Sequence, residues 1–575
     1  MPRLPSTGEI RNIAAVSFPE TPPPSALRAI AKSARQYASL TVRILDDIGD
    51  PLEETWEMSF SEFAVAVAQM AVDLHNGGFL WRVVEERNRE LFGTPLPFFF
   101  KEGDAPLPAF ETLDVRRFQF FIYSIFLGLK QGYPFSPSDP VLRELAEIAV
   151  RQFSDLKGVV PDTARAFLEA PLDAADAFDG AGYKRKLLWF GRHSYLLSFA
   201  WSDFSSEYFE NIKEEVNAET IEVRFIACQD KFVAEHVTYW GGLSLVEFFA
   251  NTLGLDAETR ADILAWRGRH DSLFRIESVV SIGVLPGADP GESSSELIVK
   301  NLLTDVPYTV LLNTQMKEVE RFKVGVVVWG MLQPWRGKWR WSGGQHLIYD
   351  AQSGGDPLEK VQHLAAFSEK FKASIGNKRY IFDDKLRASA EESERLMHES
   401  FVRFFGSDLA VFANTAEFSE KMRDYIGNYQ QERVKTLGIE APYKTFTPTL
   451  PSSAAKHAHR PVAVFNEIIG GSCVLTSYDA LVSALKNEDD AVWEGEEEDI
   501  LTELLYSSSF SPEFLERMLE KNGDAGLACL FLDRDIKEIT AEERKLLVNF
   551  LTHFFKGEFF YKRYPDVIMV KEKEE

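Results

Sequence analysis

Cysteine is nearly missing from this chain: the 575 residues hold three, Cys228, Cys473 and Cys529, far apart and without paired spacing. That suggests neither a disulfide framework nor a thiolate-based zinc site, and it makes a reducing interior the expected compartment. Positive charge is also short. Against 88 Asp and Glu stand 63 Lys and Arg, and the formal net charge of −25 repels phosphate backbones and anionic membranes at long range. No general nucleic-acid binder is expected. Long apolar runs are missing: the most apolar stretch, residues 118–129, falls about eight residues short of the roughly 20 a membrane helix needs. The opening MPRLPSTGEI has no apolar core for a signal peptide, so the expected location is cytoplasmic, with no membrane partner. There is no G-x-x-x-x-G-K-S/T phosphate loop, no G-x-G-x-x-G, no G-x-S-x-G elbow and no H-E-x-x-H. The familiar nucleotide, hydrolase and zincin classes are thereby demoted, and no cofactor is expected. A site assembled from distant residues stays open.

What is present is a strand-rich centre, residues 273–350, inside a chain that otherwise reads as helix. Phe274, Ile276, Ser278, Val280 and Ile282 alternate with Arg275, Glu277, Val279 and Ser281, the period of a half-buried strand. Pro286, Gly287, Pro290 and Gly291 then break regular structure and make a loop. Further strands are expected at 296–302, 308–313 and 324–332. The last, VGVVVWGML, is uncharged and so covered on both sides, and Pro334 is expected to end it. Residues 335–339, Trp-Arg-Gly-Lys-Trp, read as a tight hairpin into a fifth strand that ends near Tyr349. This spacing predicts a small closed barrel.

The predicted fold class is mixed and mainly α. A helical domain covers 1–268, a five-stranded β-barrel-like domain 269–352, a helical connector 353–440, a Pro/Ser/His linker 441–461 and an α+β domain 462–575. Residues 1–24, with six prolines, read as a leader before a helix whose Arg28, Lys32 and Arg35 form a solvated stripe. Asn76-Gly77-Gly78 splits a helical run over 61–91. Helices are expected over 139–170, broken near Gly158 and Pro161, and over 183–200, 218–236, 244–253 and 257–267, then over 356–375, 391–405 and 415–437. The last domain reads as a hairpin over 462–475, helices over 478–486, 500–505, 512–521 and 541–555, a strand over 527–532, and an apolar piece at 567–570.

Trp81, the segment Leu91-Phe92-Gly93-Thr94-Pro95-Leu96-Pro97-Phe98-Phe99 and Leu113-Asp114 before the aromatic helix resemble the N-terminal part of an uncharacterised bacterial family of unknown function. Trp339 with Ser342-Gly343 looks like a second shared point. Phe92 stands where that family is expected to have tyrosine. The resemblance implies no activity and transfers no catalytic residue.

Among chemical candidates, His270-Asp271, with His236 and Asp350, invites comparison with metal phosphohydrolases. Its place after Gly268 instead reads as a helix end, where a histidine favours the dipole and an Asp caps. His457 and His459 lack a third ligand and read as a solvated linker. Glu494, Glu496, Glu497, Glu498 and Asp499 lack the spacing of a calcium loop and read as a solvated loop. No metal site is expected. The feature above background is the hairpin: Trp329, Trp335, Trp339 and Trp341 are four of the chain's 11 tryptophans. Arg321, Lys323, Arg336, Lys338 and Arg340 accompany them without one acid between 321 and 349. Trp339 and Trp341 share one strand face, Lys338 and Arg340 the other. One reading is barrel closure with wet cations. The other is a ligand platform of Trp335, Arg336, Trp339, Arg340 and Trp341. The function expected is an interaction or scaffold protein that takes a protein or peptide through the barrel. The alternatives are an enzyme with an inter-domain site or a single-strand nucleic-acid binder using the hairpin.

Overall fold

A computed structural model describes residues 6–48, 60–101, 103–129, 136–213, 221–284, 293–302, 306–312, 322–349, 384–437, 458–468, 471–487, 496–507, 509–530 and 540–561. It is mainly helical. The first part holds α1 (Thr7–Ser17), α2 (Pro24–Ile48), α3 (Phe60–His75), α4 (Trp81–Phe92), α5 (Val115–Leu129), α6 (Pro140–Phe153), α7 (Thr163–Glu169), α8 (Ala174–Phe178), α9 (Ala181–His193), α10 (Ser198–Asn211), α11 (Ile221–Glu235), α12 (Leu245–Thr252) and α13 (Ala257–Leu264). After the strands of the centre come α14 (Asp384–Phe405) and α15 (Thr415–Leu437). The chain then continues through α16 (Tyr478–Lys486), α17 (Glu496–Tyr506), α18 (Pro512–Asn522), α19 (Ala525–Leu530) and α20 (Ala541–Phe555).

Local chemistry accounts for most of these boundaries. The expected leader holds α1, capped by Ser6 and seated through Ile10 and Ala14. The split after Asn76 is completed by Asp73, whose carboxylate accepts from the amides of Leu80 (3.1 Å) and Trp81 (2.9 Å) and from the Tyr195 hydroxyl (2.8 Å). Burial pushes Asp73 up to about 6. Ser244 and Glu247 close a capping box at α12, and Asp256 caps α13. The expected helix over 183–200 is two helices. Residues 194–197 are buried between α9 and α10, held by Tyr195 on Asp73 and by the Trp240 indole donating to the Leu196 carbonyl at 2.7 Å.

Trp81 sits in the helical core edge-on to Phe120, Phe121 and Trp240 at 5.9–6.2 Å. Below it Glu85, buried, accepts from Arg117 at 2.8 Å and from the Trp81 indole at 3.1 Å. Phe550 of α20 packs on Phe92, Phe98, Phe120 and Tyr123 at 5.4–6.0 Å, so segments far apart in sequence share one core.

The centre is a closed barrel of β1 (His270–Val284), β2 (Ser293–Asn301), β3 (Pro307–Leu312), β4 (Val327–Trp335) and β5 (Lys338–Tyr349), in the order β1-β2-β3-β5-β4. Neighbours are antiparallel except β3 with β5, which run parallel with Val310 opposite Trp339 and Leu311 opposite Arg340. Pro334 does not end β4. It pairs with Trp339, beyond Leu332, the last residue of β4 with a β1 partner, so on that side no ladder donor is lost. Arg336 (φ 50°) and Gly337 (φ 71°) form the two-residue loop, both left-handed as a type I′ hairpin demands. Phe274, Ile276, Leu297, Val299, Val310, Leu332 and Trp341 fill the interior.

A second sheet, β6 (Leu409–Phe412), β7 (Val462–Glu467) and β8 (Gly471–Leu475), is antiparallel in that order. Two expectations here change. Residues 525–530 are helical, not a strand: the run is too short for periodicity to decide, and Gly526 lets α19 approach α16 so closely that a Cβ would lie 1.8 Å from the Ala484 carbonyl oxygen. The acidic run, read as loop, supplies from Glu496 onward the first turn of α17, where acids favour the helix dipole. The expected helix over 356–375, most of the linker and the piece at 567–570 lie outside the described residues.

Candidate functional site

The strand alternation places the hairpin residues on two sides. Trp339 and Trp341 point into the barrel, Trp341 buried against Phe274 (5.7 Å) and Trp339 half-buried against Tyr308 (5.2 Å). Trp335 and Arg340 face the helices instead. Trp335 is fully buried, its indole donating to the Phe178 carbonyl at 3.0 Å, its ring 5.7 Å from Trp266 and 5.9 Å from Tyr183. Gly180, at φ +72°, makes room for it: a Cβ there would stand 2.9 Å from the indole. Buried Arg340 donates to the Asp179 carbonyl at 2.9 Å and lies over Trp266 at 5.4 Å. Of the five predicted residues Arg336 alone is exposed, and its amide donates to Asp262 at 3.1 Å. The structure brings Trp335 and Arg340 together as an anchor, and Trp335 and Trp341 offer no open indole face for stacking. Five-stranded Greek-key barrels generally present the β2–β3 face and the loops after β1 and β4 to ligands. Here the β4–β5 loop is docked on α13.

Next to the anchor lies a seam of buried charge. Asp230 of α11 accepts from Lys184 of α9, from Ser342 of β5 and, at 2.8 Å, from Arg269 just before β1; Arg269 also pairs with Glu235. Lys184 donates to Ser342 at 3.2 Å. Burial alone would push the Asp230 carboxyl up, but Lys184 and Arg269 beside it outweigh burial and hold it far below the usual carboxylate range. Gly343 permits the contact, since a Cβ would come within 3.2 Å of the Asp230 carboxyl. Each formal charge here has an opposite neighbour, and Ser342 is 2% exposed. The seam is chemistry already spent on holding barrel to helices.

The other end of α9 differs. There Arg192 and His193 help line a cleft of about 370 Å³ between α1, α3, α9 and α10, floored by Ile13, Val65 and Ala66. Gln69 of α3 sets the walls by donating to the carbonyls of Ser17 (3.0 Å) and His193 (3.5 Å). The Arg192 guanidinium lies beside an edge-to-face pair of rings, 5.4 Å from Trp201 and 5.1 Å from Phe225. Its Nε is buried without a partner, and among the described residues it has neither a hydrogen bond nor a carboxylate. Burial lowers its affinity for the proton, yet a guanidinium stays charged at neutral pH. His193 is pushed down to about 4, first by burial and then by Arg192, so its imidazole is neutral there. The cleft thus offers a fixed, partly desolvated cation beside a neutral imidazole, the α10 hydroxyls Ser202 and Ser206, and an apolar floor. Such a surface holds an anionic group and a small apolar body.

Sequence alone does not single out Arg192 and His193, since cations in the last turn of a helix are ordinarily explained by its dipole. The serine-rich stretch from Ser198 to Ser206 reads equally as a solvated helix face and gave no separate signal. Elsewhere, His270 and Asp271 stand in β1 opposite Leu332 and Met331, a strand start where a helix end was expected. His459 is exposed, and His457 lies outside the described residues. No group of three or more metal-ligating side chains occurs among the described residues, and none of their helices is long and apolar enough to cross a membrane. No protein-family model, curated protein or solved structure matches the chain, so the resemblance seen at Trp81, residues 91–99, Leu113-Asp114 and Trp339 with Ser342-Gly343 rests on those residues alone.

Proposed function

We propose that the chain is a binding protein for a small organic anion, held in the cleft at the C-terminal end of α9, with the barrel as a docked accessory unit. The observation that carries this is Arg192, a half-buried cation beside two aromatic rings whose Nε has no partner among the described residues. Leaving such a group without a partner costs stability, and a ligand anion would supply the missing acceptor. A carboxylate is the best match: it accepts two parallel hydrogen bonds from the guanidinium fork, while the ligand body rests on Val65 and Ala66. The acidic net charge and the carboxylates of Glu62 and Asp203 at the cleft disfavour polyanions such as nucleic acid. An apolar body with one carboxylate also fits a peptide end, which keeps the sequence-based expectation of a peptide ligand but moves it off the barrel.

The test is ligand-observed saturation-transfer NMR with acetate, benzoate, isovalerate and succinate, on the native chain and on Arg192→Gln. Binding by one or more of these that weakens at least tenfold in the variant is the expected result. Binding that is unchanged in Arg192→Gln, or no binding at all, overturns the proposal.

A further inference from the structure

The face of β4 that meets the helices carries Met331 beside Arg269 at the charged seam, Trp335 as the aromatic anchor, and Gln333 between them. Gln333 is 0% exposed, and neither end of its amide has a hydrogen-bond partner among the described residues. Two more orphans adjoin it. Arg340, opposite Gln333 on β5, has a buried Nε without a partner. The ring beside its guanidinium, Trp266 at 5.4 Å, has a buried and unpartnered indole Nε1. All three side chains are more than nine-tenths buried. The polar groups on either side are matched: Trp335 donates to the Phe178 carbonyl, Ser342 to Asp230, and the Arg340 Nη1 to the Asp179 carbonyl. The unmatched atoms are therefore gathered in one place, midway along the seam.

Donor and acceptor chemistry decides what meets them. The Gln333 amide nitrogen, the Arg340 Nε and the Trp266 indole each need an acceptor, while the Gln333 Oε1 needs a donor. Turning the amide over exchanges its two ends and leaves that list unchanged. A bare anion would take the N–H groups and leave Oε1 unmet. A cation would suit Oε1 and be repelled by Arg340, whose own charge already faces Asp179 and Asp230. Only a neutral molecule that both donates and accepts answers every atom, and the smallest is water. We infer that Gln333, Arg340 and Trp266 form a buried water site within the contact between barrel and helices. A buried water makes about three hydrogen bonds, so one or two molecules cover the four atoms. The barrel would then dock on the helices partly through solvent held between the charged seam and Trp335.

The test is a crystal structure of the full chain at a resolution that shows ordered water, with a second crystal soaked in bromide. Non-protein density within hydrogen-bond reach of the Gln333 amide and of the Arg340 Nε or the Trp266 Nε1, with no anomalous bromide peak there, is the expected result. In solution, oxygen-17 relaxation dispersion on the native chain and on Gln333→Met, which keeps the length of the side chain and removes its polar atoms, should show at least one long-lived water lost. A direct bond from Gln333 to Arg340 with no density between them overturns the inference. So does a bromide peak, which would make the site an anion site, or a folded Gln333→Met variant that keeps every long-lived water. If that variant does not fold, the two crystals decide alone.

Discussion

Helix α9 carries buried Lys184 and, eight residues on, half-buried Arg192, two cations treated in opposite ways. Lys184, near its start, is matched by Asp230 and braced by Ser342, with Arg269 and Glu235 completing the seam. Arg192, at its end, lies beside Trp201 and Phe225, and its Nε has no partner among the described residues. A charge taken out of water is tolerated by a fold when it is paired and hydrogen-bonded, and an unpaired one is retained at a cost. The first arrangement explains how the barrel is held; the second has no structural use that the surrounding residues reveal. The contrast separates a charge used for folding from one free for binding.

The largest effect should come from breaking the seam. Asp230→Asn leaves Lys184 and Arg269 buried without their carboxylate, and removing one member of a buried ion pair costs about 3–5 kcal/mol. Thermal unfolding and protease susceptibility of the barrel measure it. The folded-state value of Asp230 is depressed, so its stabilisation is present above the unfolded value, between about pH 5 and 8, and is lost only in strong acid. A wild-type-like midpoint would remove the seam from the account.

Gly180→Ala comes next. The methyl would meet Trp335 at 2.9 Å in a left-handed backbone conformation, which together cost about 1–3 kcal/mol. A lowered thermal midpoint with an altered tryptophan emission spectrum is expected; an unchanged spectrum would mean that Trp335 is not seated on the helices.

A smaller effect, of opposite sign, is expected where two like charges meet. Burial and Glu513 beside it push Glu467 up to about 7. Since the folded chain binds that proton more tightly than the unfolded one, stability from this group falls as pH rises from about 4.5 through 7. Glu467→Gln should therefore raise the midpoint at pH 8, by about 1 kcal/mol, and make little difference at pH 5. A variant less stable than the native chain at pH 8 would contradict the assignment.

How far the sequence reached depends on whether a signal was local. The barrel was legible because alternation over 273–350 and the Arg336-Gly337 turn are properties of neighbouring residues. The concentration of Trp and Arg in the hairpin was visible as well. Its role was not, because what covers Trp335 and Arg340 is Gly180, Trp266 and the Asp179 carbonyl, roughly 70 or more residues upstream. Pro334 misled because its effect depends on where β1 stops pairing. Arg192 was illegible for a similar reason: Gly-Arg-His at a helix end looks ordinary until Phe225 and Trp201 pack beside it and, among the described residues, no acid does.

The most direct measurement is the thermal midpoint of Arg192→Gln beside that of Asp230→Asn, under the same conditions without ligand. If Arg192 is kept for binding, its loss leaves the midpoint within about 1 kcal/mol of the native chain, or raises it, while Asp230→Asn falls by about 3–5 kcal/mol. An Arg192→Gln variant as unstable as Asp230→Asn would show that the guanidinium holds the helices together, and the cleft would lose its claim to be a site.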